Sequence, residues 1–207
     1  MKKKHTLISL ILLTIIFISY SFKNRSLTVE SATDLVKETS DHETFKIKKG
    51  ETITWKAKHN NDPDFVHIGT VEIKSGSVEI ENGKIISGEI IIDLTTLQKG
   101  NPRLDGHLKN PDFFNVAVFP SSKFSIQEYK DNIIKGALEV LGISHVISFP
   151  IDISINEEGV NVKGEFELDL SPFKLASLVK AEKLPEEKRK SAPSSKINIA
   201  IDLIAIK

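Results

Sequence analysis

The 207-residue sequence contains no cysteine, and its histidines are few and scattered. Without cysteine the chain has no disulfide, no thiolate nucleophile and no cysteine-ligated metal. The sequence also lacks a Gly-x-Ser-x-Gly nucleophile elbow, a His-Glu-x-x-His zinc motif, a phosphate-binding loop and a Rossmann fingerprint. The six histidines show no metal-ligand spacing, so the sequence predicts no metal centre.

A predominant charge of either sign is also missing. The 28 lysines and arginines balance the 28 aspartates and glutamates. No global field therefore attracts the protein to nucleic acid or to an anionic membrane, and no basic patch interleaved with aromatics predicts a nucleic-acid partner. Internal repeats of about 20 to 50 residues are absent, which excludes solenoids and propellers.

The longest apolar run lies at the N-terminus and predicts export. A basic start over 1–5 precedes an apolar run over 7–22, with Ser19 and Ser21 at the offset of a cleavage site. Two alternatives stay open: a cleaved signal peptide, or a retained anchor that tethers the protein to a membrane. No cysteine follows the run, so attachment as a bacterial lipoprotein is excluded. Both alternatives place the rest of the chain in the periplasm or cell envelope.

We therefore divide the chain into three parts. Residues 1–22 form the export signal or N-terminal anchor, and the polar residues 23–41 form a linker. Residues 42–207 form one domain, in which apolar and polar side chains alternate as in strands with one buried face. No pattern in the sequence indicates whether the chain pairs with a second copy, so a homodimer and a monomer both stay open.

Alternation and turn residues locate the strands of this domain. Predicted strands lie at about 52–58, 66–74, 77–81, 84–94, 123–130, 134–140, 146–155, 160–170 and 196–207. Asn82-Gly83 predicts a hairpin, and Ser75-Gly76 predicts a second turn. On the strand 84–94 the even positions, including Ile86 and Ile90, are predicted to face the same way.

Helices are predicted at only two places. A short helix is expected in the loop over 95–109, and another is expected to begin with Ser171 as N-cap and Pro172 at its first position. The prediction is thus an all-β fold with about eight to ten antiparallel strands, closed as a barrel or stacked as a sandwich. A barrel of about eight strands can hold one elongated small molecule.

The segment 106–120 combines aromatic and acidic residues in the middle of the chain. His107 and Asp112 are five positions apart and could act as an acid–base pair. The alternative is structural, with Asp112 capping a short helix and His107 hydrogen-bonding the loop. No nucleophile accompanies the pair, which favours the structural alternative.

Several motifs resemble one family. They are Trp55 with His59, the run 67–71, the run 88–97, the Leu-Asp-Gly-His-Leu-Lys-Asn-Pro-Asp-Phe-Phe run at 104–114, the Phe-Pro-Ser-Ser-Lys-Phe run at 119–124, and the run 136–144. Together they resemble the YceI-like lipid-binding family over roughly 44–170. The His-Leu pair that leads to Asp-Phe-Phe and then to a proline before a strand is the most distinctive part.

The resemblance implies an extended, lipocalin-like antiparallel β-barrel that is exported and is not an enzyme. It implies a ligand with a long apolar tail, such as a polyisoprenoid, an isoprenoid quinone or a fatty-acid derivative, and no cofactor beyond such a lipid or quinone. The sequence shows no obvious clamp for a headgroup. The segment 172–195 is longer and more charged than the family pattern, and it either covers a barrel mouth or lies outside it.

Strand parity within this family frame predicts which side chains line the ligand tunnel. They are Trp55, Val71, Ile90, Ile92, Leu108, Phe113, Phe114, Phe124, Leu138, Val140, Phe166 and Leu168. Two other functions stay open beside a lipid carrier. One is a hydrolase that uses His107 and Asp112, and the other is an envelope stress or interaction protein with 172–195 as its contact surface.

Overall fold

The structure is a computed structural model that describes residues 41–60 and 62–207. The predicted export signal or anchor (1–22) and all but the last residue of the predicted linker (23–41) lie outside the described residues. Within the described ranges, no helix combines the length and apolar character that a bilayer crossing requires.

Ten strands and three short α-helices make up the described part of the chain. In order they are β1 (His42–Ile47), β2 (Thr52–His59), β3 (Asp62–Glu81), β4 (Lys84–Gln98), α1 (Pro102–Lys109), β5 (Ser121–Lys130), β6 (Ile133–Val140), β7 (Ile143–Pro150), β8 (Asp152–Asn156), β9 (Gly159–Asp169), a 3₁₀ turn (Ser171–Phe173), α2 (Ala176–Glu182), α3 (Glu186–Arg189) and β10 (Pro193–Ile206). The prediction of an all-β fold with a few short helices is confirmed.

The ten strands occupy eight positions around an antiparallel barrel, because two positions are each shared by two strands. β1 and β2 follow one another between β3 and β10, and each pairs with both neighbours. β7 and β8 share a second position, where β7 pairs with β6 and β8 pairs with β9. At their junction the Ile151 N–H donates to the Asn132 carbonyl at 2.9 Å. Because β7 leads directly into β8, this shared position joins β6 to β9 and closes the predicted barrel of about eight strands.

The two ends of the barrel differ in their connections. Tight turns at 82–83, 131–132 and 157–158 join strands at one end. The opposite end, here called the mouth, carries the tip of the β2–β3 hairpin and the long connections 99–120 and 170–192. Asn82 and Gly83 both have positive φ (51° and 72°), which confirms the predicted Asn-Gly hairpin.

The connection 170–192 packs onto the barrel wall beside β7. Phe173 is fully buried, and the edge of its ring meets His145 of β7 with centroids 5.4 Å apart. Leu175 and Leu178 are also buried. The predicted helix from Ser171 is wrong in detail, since a 3₁₀ turn and then α2 form there instead. Lys174, in the left-handed conformation (φ 57°), separates the two.

The predicted turn at Ser75-Gly76 is wrong, because β3 runs through these residues. Ile73 pairs with Ile92 and Ser75 pairs with Ile91, so one extra residue of β3 forms a bulge there. Glycine at position 76 does not form a turn but allows the Ile47 side chain to approach the backbone closely, since a Cβ there would lie 2.6 Å from Cδ1 of Ile47.

A second bulge corrects the predicted orientation of Ile86. Glu79 pairs with Ser87 and Ile80 pairs with Ile85, so Ile86 is the extra residue on β4. The bulge shifts the alternation by one residue, and Ile86 faces solvent with 45% of its surface exposed.

The strand predicted at 146–155 is also wrong in its bounds: it begins at Ile143 and is interrupted at Ile151.

Candidate ligand-binding cavity

A cavity of about 550 Å³ lies inside the barrel. Apolar side chains from all ten strands and from the connections 99–120 and 170–192 form almost all of its wall. They belong to two hydrophobic clusters, one around Phe124, Leu138 and Phe149 and the other around Trp55 and Val71. An apolar cavity of this size matches the volumes of small-molecule sites, about 300 to 1,000 Å³.

All twelve side chains predicted to line the tunnel do line this cavity. They are Trp55, Val71, Ile90, Ile92, Leu108, Phe113, Phe114, Phe124, Leu138, Val140, Phe166 and Leu168. The structure therefore brings together residues from β2, β3, β4, β5, β6, β9 and the mouth. That these residues contact a lipid remains a prediction.

Trp55 is fixed in the wall by a close backbone approach. Its indole N–H donates to the Thr70 carbonyl at 3.3 Å. Its ring lies against Gly69, its partner across the β2–β3 ladder, where a Cβ would come within 2.3 Å of the ring. Glycine at this position lets the large indole turn into the barrel without a clash.

The segment after α1 places two adjacent phenylalanines in the wall. The side chain of Asn101 caps α1 by accepting from the backbone N–H groups of Arg103 and Leu104. The backbone then folds back, with the Phe114 N–H donating to the Leu108 carbonyl at 3.1 Å. Because this segment is a series of turns instead of a strand, Phe113 and Phe114 both line the cavity.

His107 and Asp112 do not form an acid–base pair. The Asp112 carboxylate accepts from the Lys180 ammonium at 2.6 Å, and that hydrogen bond and charge hold the pKa of Asp112 below its usual value. His107 Nδ1 lies 3.1 Å from the side-chain nitrogen of Asn110. The nearby Ser177 hydroxyl is buried and makes no hydrogen bond to any described residue. His107 bonds the loop as the structural alternative expects. The Asp112 side chain caps no described helix because it pairs with Lys180, and only the Asp112 backbone carbonyl accepts at the start of α2, from the Ser177 N–H at 2.7 Å.

Polar side chains in the cavity wall are few and mostly lie at the mouth. They are Lys58, His59, His67, His107, Ser122 and Ser194. Ser122 is the exception in depth, and its hydroxyl donates to the Glu139 carbonyl at 2.5 Å. The described residues contain no cluster of three or more histidine or acidic side chains that could hold a metal ion.

The histidines of the β2–β3 hairpin lie close together at the mouth. The rings of His59 and His67 are 5.8 Å apart and meet edge to face. The Lys99 ammonium lies 2.9 Å from Nδ1 of His67. Burial lowers the pKa of His67, and the positive charges of Lys99 and His59 lower it further.

The wall, the mouth and the motifs together agree with the family resemblance, and a family model decides the question. The model of the YceI-like domain matches residues 28–205. The chain belongs to the YceI family. No curated protein sequence matches it.

Solved structures confirm the YceI-like fold at low sequence identity. Burkholderia cenocepacia BcnA is 18% identical over 74% of this chain and 95% of its own, with a TM-score of 0.58. A polyisoprenoid binding domain from Saccharophagus degradans, implicated in plant cell wall breakdown, is 12% identical over 78% and 97%, with a TM-score of 0.57. The Campylobacter jejuni YceI protein is 18% identical over 66% and 84%, with a TM-score of 0.51.

Sequence reasoning missed part of the wall of this YceI-family barrel. Phe149 lines the cavity and stacks on Phe166, with ring centroids 3.8 Å apart. Ile147 and Ile151, two positions to either side, also line the cavity, so the alternation of this strand could have shown that Phe149 faces inward. Leu175 and Leu178 line the cavity from the connection 170–192, and no local pattern signals that role. The polar group at the mouth was missed because its members lie on β2, β3, α1 and β10, which are far apart in the sequence.

Proposed function

We propose that this YceI-family protein binds one long-chain amphiphile and holds its apolar tail inside the barrel. The observation that carries the proposal is the cavity of about 550 Å³ with its almost wholly apolar wall. The description of the Saccharophagus degradans neighbour as a polyisoprenoid binding domain supports the same class of ligand. A polyisoprenoid, an isoprenoid quinone or a fatty-acid derivative would each present such a tail.

Burial of the tail supplies enough free energy for useful affinity. Each buried methylene contributes about 0.8 kcal/mol, so a tail of about 15 carbons gains roughly 12 kcal/mol before other terms. Loss of translational and rotational freedom on association opposes binding by about 4 kcal/mol or more. Apolar length alone can therefore sustain binding without many polar contacts.

We propose further that the protein is a carrier without catalytic activity. The contacts at His107 and Asp112 support this, since the Asp112 carboxylate pairs with Lys180 and no described residue hydrogen-bonds the nearby buried Ser177 hydroxyl. The interaction-protein alternative gains less support, because Leu175 and Leu178 of the segment 172–195 face the cavity. A lipid released chemically unchanged after incubation with the protein is the expected result, checked by mass spectrometry of the extract.

Export to the periplasm or cell envelope is part of the same proposal. It rests on the basic start and the apolar run over 7–22. A carrier of a lipid-like molecule is useful where the molecule must cross water between membranes. The intact mass of the protein from a periplasmic or membrane fraction distinguishes a cleaved signal from a retained anchor.

A cavity-filling substitution tests the lipid site directly. Ile90→Trp places an indole in the cavity, and the lost contacts are expected to weaken lipid binding about tenfold or more, since two methylenes contribute about 1.6 kcal/mol. Native mass spectrometry measures the lipid retained. Ile86→Trp on the same strand is the matched control, because Ile86 faces solvent. Equal lipid occupancy in both variants, or a wild type that never binds lipid, would contradict the proposal.

A further inference from the structure

The polar wall of the cavity is asymmetric in both position and charge. Lys58, His59, His67 and His107 all lie at the mouth, whereas the deeper wall is apolar apart from Ser122. No described carboxylate lines the cavity. A ligand whose tail fills the barrel therefore presents its headgroup to nitrogen-bearing side chains.

Hydrogen bonds determine which nitrogen of two mouth histidines carries the proton. The Lys99 ammonium can only donate, so Nδ1 of His67 accepts and the neutral ring is protonated at Nε2. The Asn110 side-chain oxygen accepts from the Asp112 N–H at 2.9 Å, which orients its amide nitrogen toward His107 Nδ1. Neutral His107 is therefore also protonated at Nε2.

His59 is held in the opposite tautomer. Its Nδ1 lies 2.7 Å from the Ser191 carbonyl, which can only accept, so Nδ1 carries a proton. This bond ties the β2–β3 hairpin to the end of the connection 170–192. The mouth is thus an assembled group from three separate segments, with its rings held in fixed orientations.

Two lysines bring positive charge to the cavity wall and to the histidines at the mouth. Lys58 lines the cavity, and the Lys99 ammonium reaches the edge of His67. Two carboxylates of the connection 99–120 already have partners, since Asp105 accepts from the Lys99 backbone N–H at 2.7 Å and Asp112 pairs with Lys180. Hydrogen bonds from such donors are stronger to an anion than to a neutral oxygen.

We propose that the mouth selects an amphiphile with an oxyanion headgroup, a carboxylate or a phosphate, which Lys58, Lys99, His67 and His107 hold while the tail fills the barrel. The inference rests on the proposed lipid-binding function and specifies its ligand class. An anion has no compensating partner in the apolar depth of the barrel, so it must remain at the mouth. The headgroup thereby sets the direction in which the ligand lies.

The test compares four probes that share one tail and differ in headgroup. Dodecanoate, monododecyl phosphate, dodecanol and dodecyltrimethylammonium are titrated into the full-length protein below their micelle concentrations, with calorimetry as the readout. Both anions, or one of them, are expected to bind at least about tenfold more tightly than the alcohol. A tenfold difference in affinity is about what one charge-assisted hydrogen bond contributes. The anion that binds more tightly identifies the headgroup as carboxylate or phosphate.

Variants at the mouth test the residues themselves. The double variant Lys58→Gln/Lys99→Gln is expected to reduce the ratio of anion to alcohol affinity about tenfold. Both side chains lie on the surface, so the fold should persist, and Lys84→Gln at the opposite end of the barrel is the matched control with an unchanged ratio. Equal affinity for all four probes would overturn the headgroup inference alone. Binding of none of them would overturn the proposed function as well.

Discussion

Gly69 shows how strongly one residue can determine the shape of the wall. A Cβ at this position would lie 2.1 Å from the Gln98 carbonyl oxygen and 2.3 Å from the Trp55 ring. Backbone cannot yield easily, so we expect Gly69→Ala to destabilise the fold by about 1 to 3 kcal/mol. Urea denaturation followed by Trp55 fluorescence measures this change.

Gly106 offers the matched control for that substitution. It lies within α1, and a Cβ there would meet no atom within 4 Å. Alanine is favoured over glycine inside a helix by about 0.5 to 1 kcal/mol, so Gly106→Ala is expected to be neutral or stabilising. If both variants lost the same stability, the close approach at Gly69 would not be the cause.

The Asp169 carboxylate at the end of β9 makes the stability of the fold depend on pH in the acidic range. Partial burial acts to raise its pKa, but hydrogen bonds from Ser171 and Ser195 and the charge of Lys196 together lower it. Because the folded pKa is lowered, the charged form stabilises the fold above the unfolded pKa of about 3.9. That stabilisation is lost as the pH falls through the folded pKa.

The variant Asp169→Asn removes this dependence. Its urea midpoint is expected to lie below that of the wild type at about pH 7, and the difference is expected to shrink at about pH 3. Asp202→Asn, which removes an exposed ion pair with Lys163, is the control and should change little at either pH. A difference between wild type and Asp169→Asn that stayed constant with pH would contradict the assignment.

The 3₁₀ turn at the mouth buries one large side chain, Phe173. Phe173 is fully buried against β7, so Phe173→Ala is expected to destabilise the protein by about 3 to 5 kcal/mol. Thermal or urea unfolding measures the loss. Leu184→Ala in the same connection is the control, since Leu184 is exposed and should change stability by less than about 0.5 kcal/mol. Equal losses would mean that Phe173 does not anchor the connection.

Strands were predictable from the sequence where their alternation is unbroken. Phe124 and Leu138 lie on strands whose ladder keeps one register across that pair, so parity placed both correctly in the wall. Ile86 was misplaced because a bulge shifts the alternation, and the bulge depends on the partner strand. Gly76 was misread as a turn residue because its actual role, the close approach of Ile47, is a tertiary contact.

The mouth was predictable only in part. The short helix expected over 95–109 forms as α1, and Leu108 and Phe113 line the cavity as predicted. The meeting of His67 with Lys99 could not be predicted, because the two lie 32 positions apart and no local pattern relates them. The same holds for Lys180 and Asp112, 68 positions apart. Such pairs depend on closure of the whole barrel.

For the whole molecule, the proposed ligand should contribute to stability by mass action. A ligand present at about one hundred times its dissociation constant adds about 2.7 kcal/mol, which raises the melting temperature of a chain of this size by roughly 5 to 10 °C. Extraction of lipid from the purified protein is therefore expected to lower the melting temperature, measured by differential scanning calorimetry. Adding the extract back should restore it, and a melting temperature unaffected by either step would argue against a bound lipid.

The pairing of β10 has a consequence for when the barrel can form. β10 follows all of its partner strands in the sequence, since it pairs with β1, β2 and β9. Pairing between strands that are far apart in the sequence is slow, and β-rich folds of this kind form in about milliseconds to seconds. Until β10 arrives, three strands present open edges that can join other chains. An export route that passes the chain unfolded would therefore leave barrel closure, and protection from aggregation, to the final step after crossing.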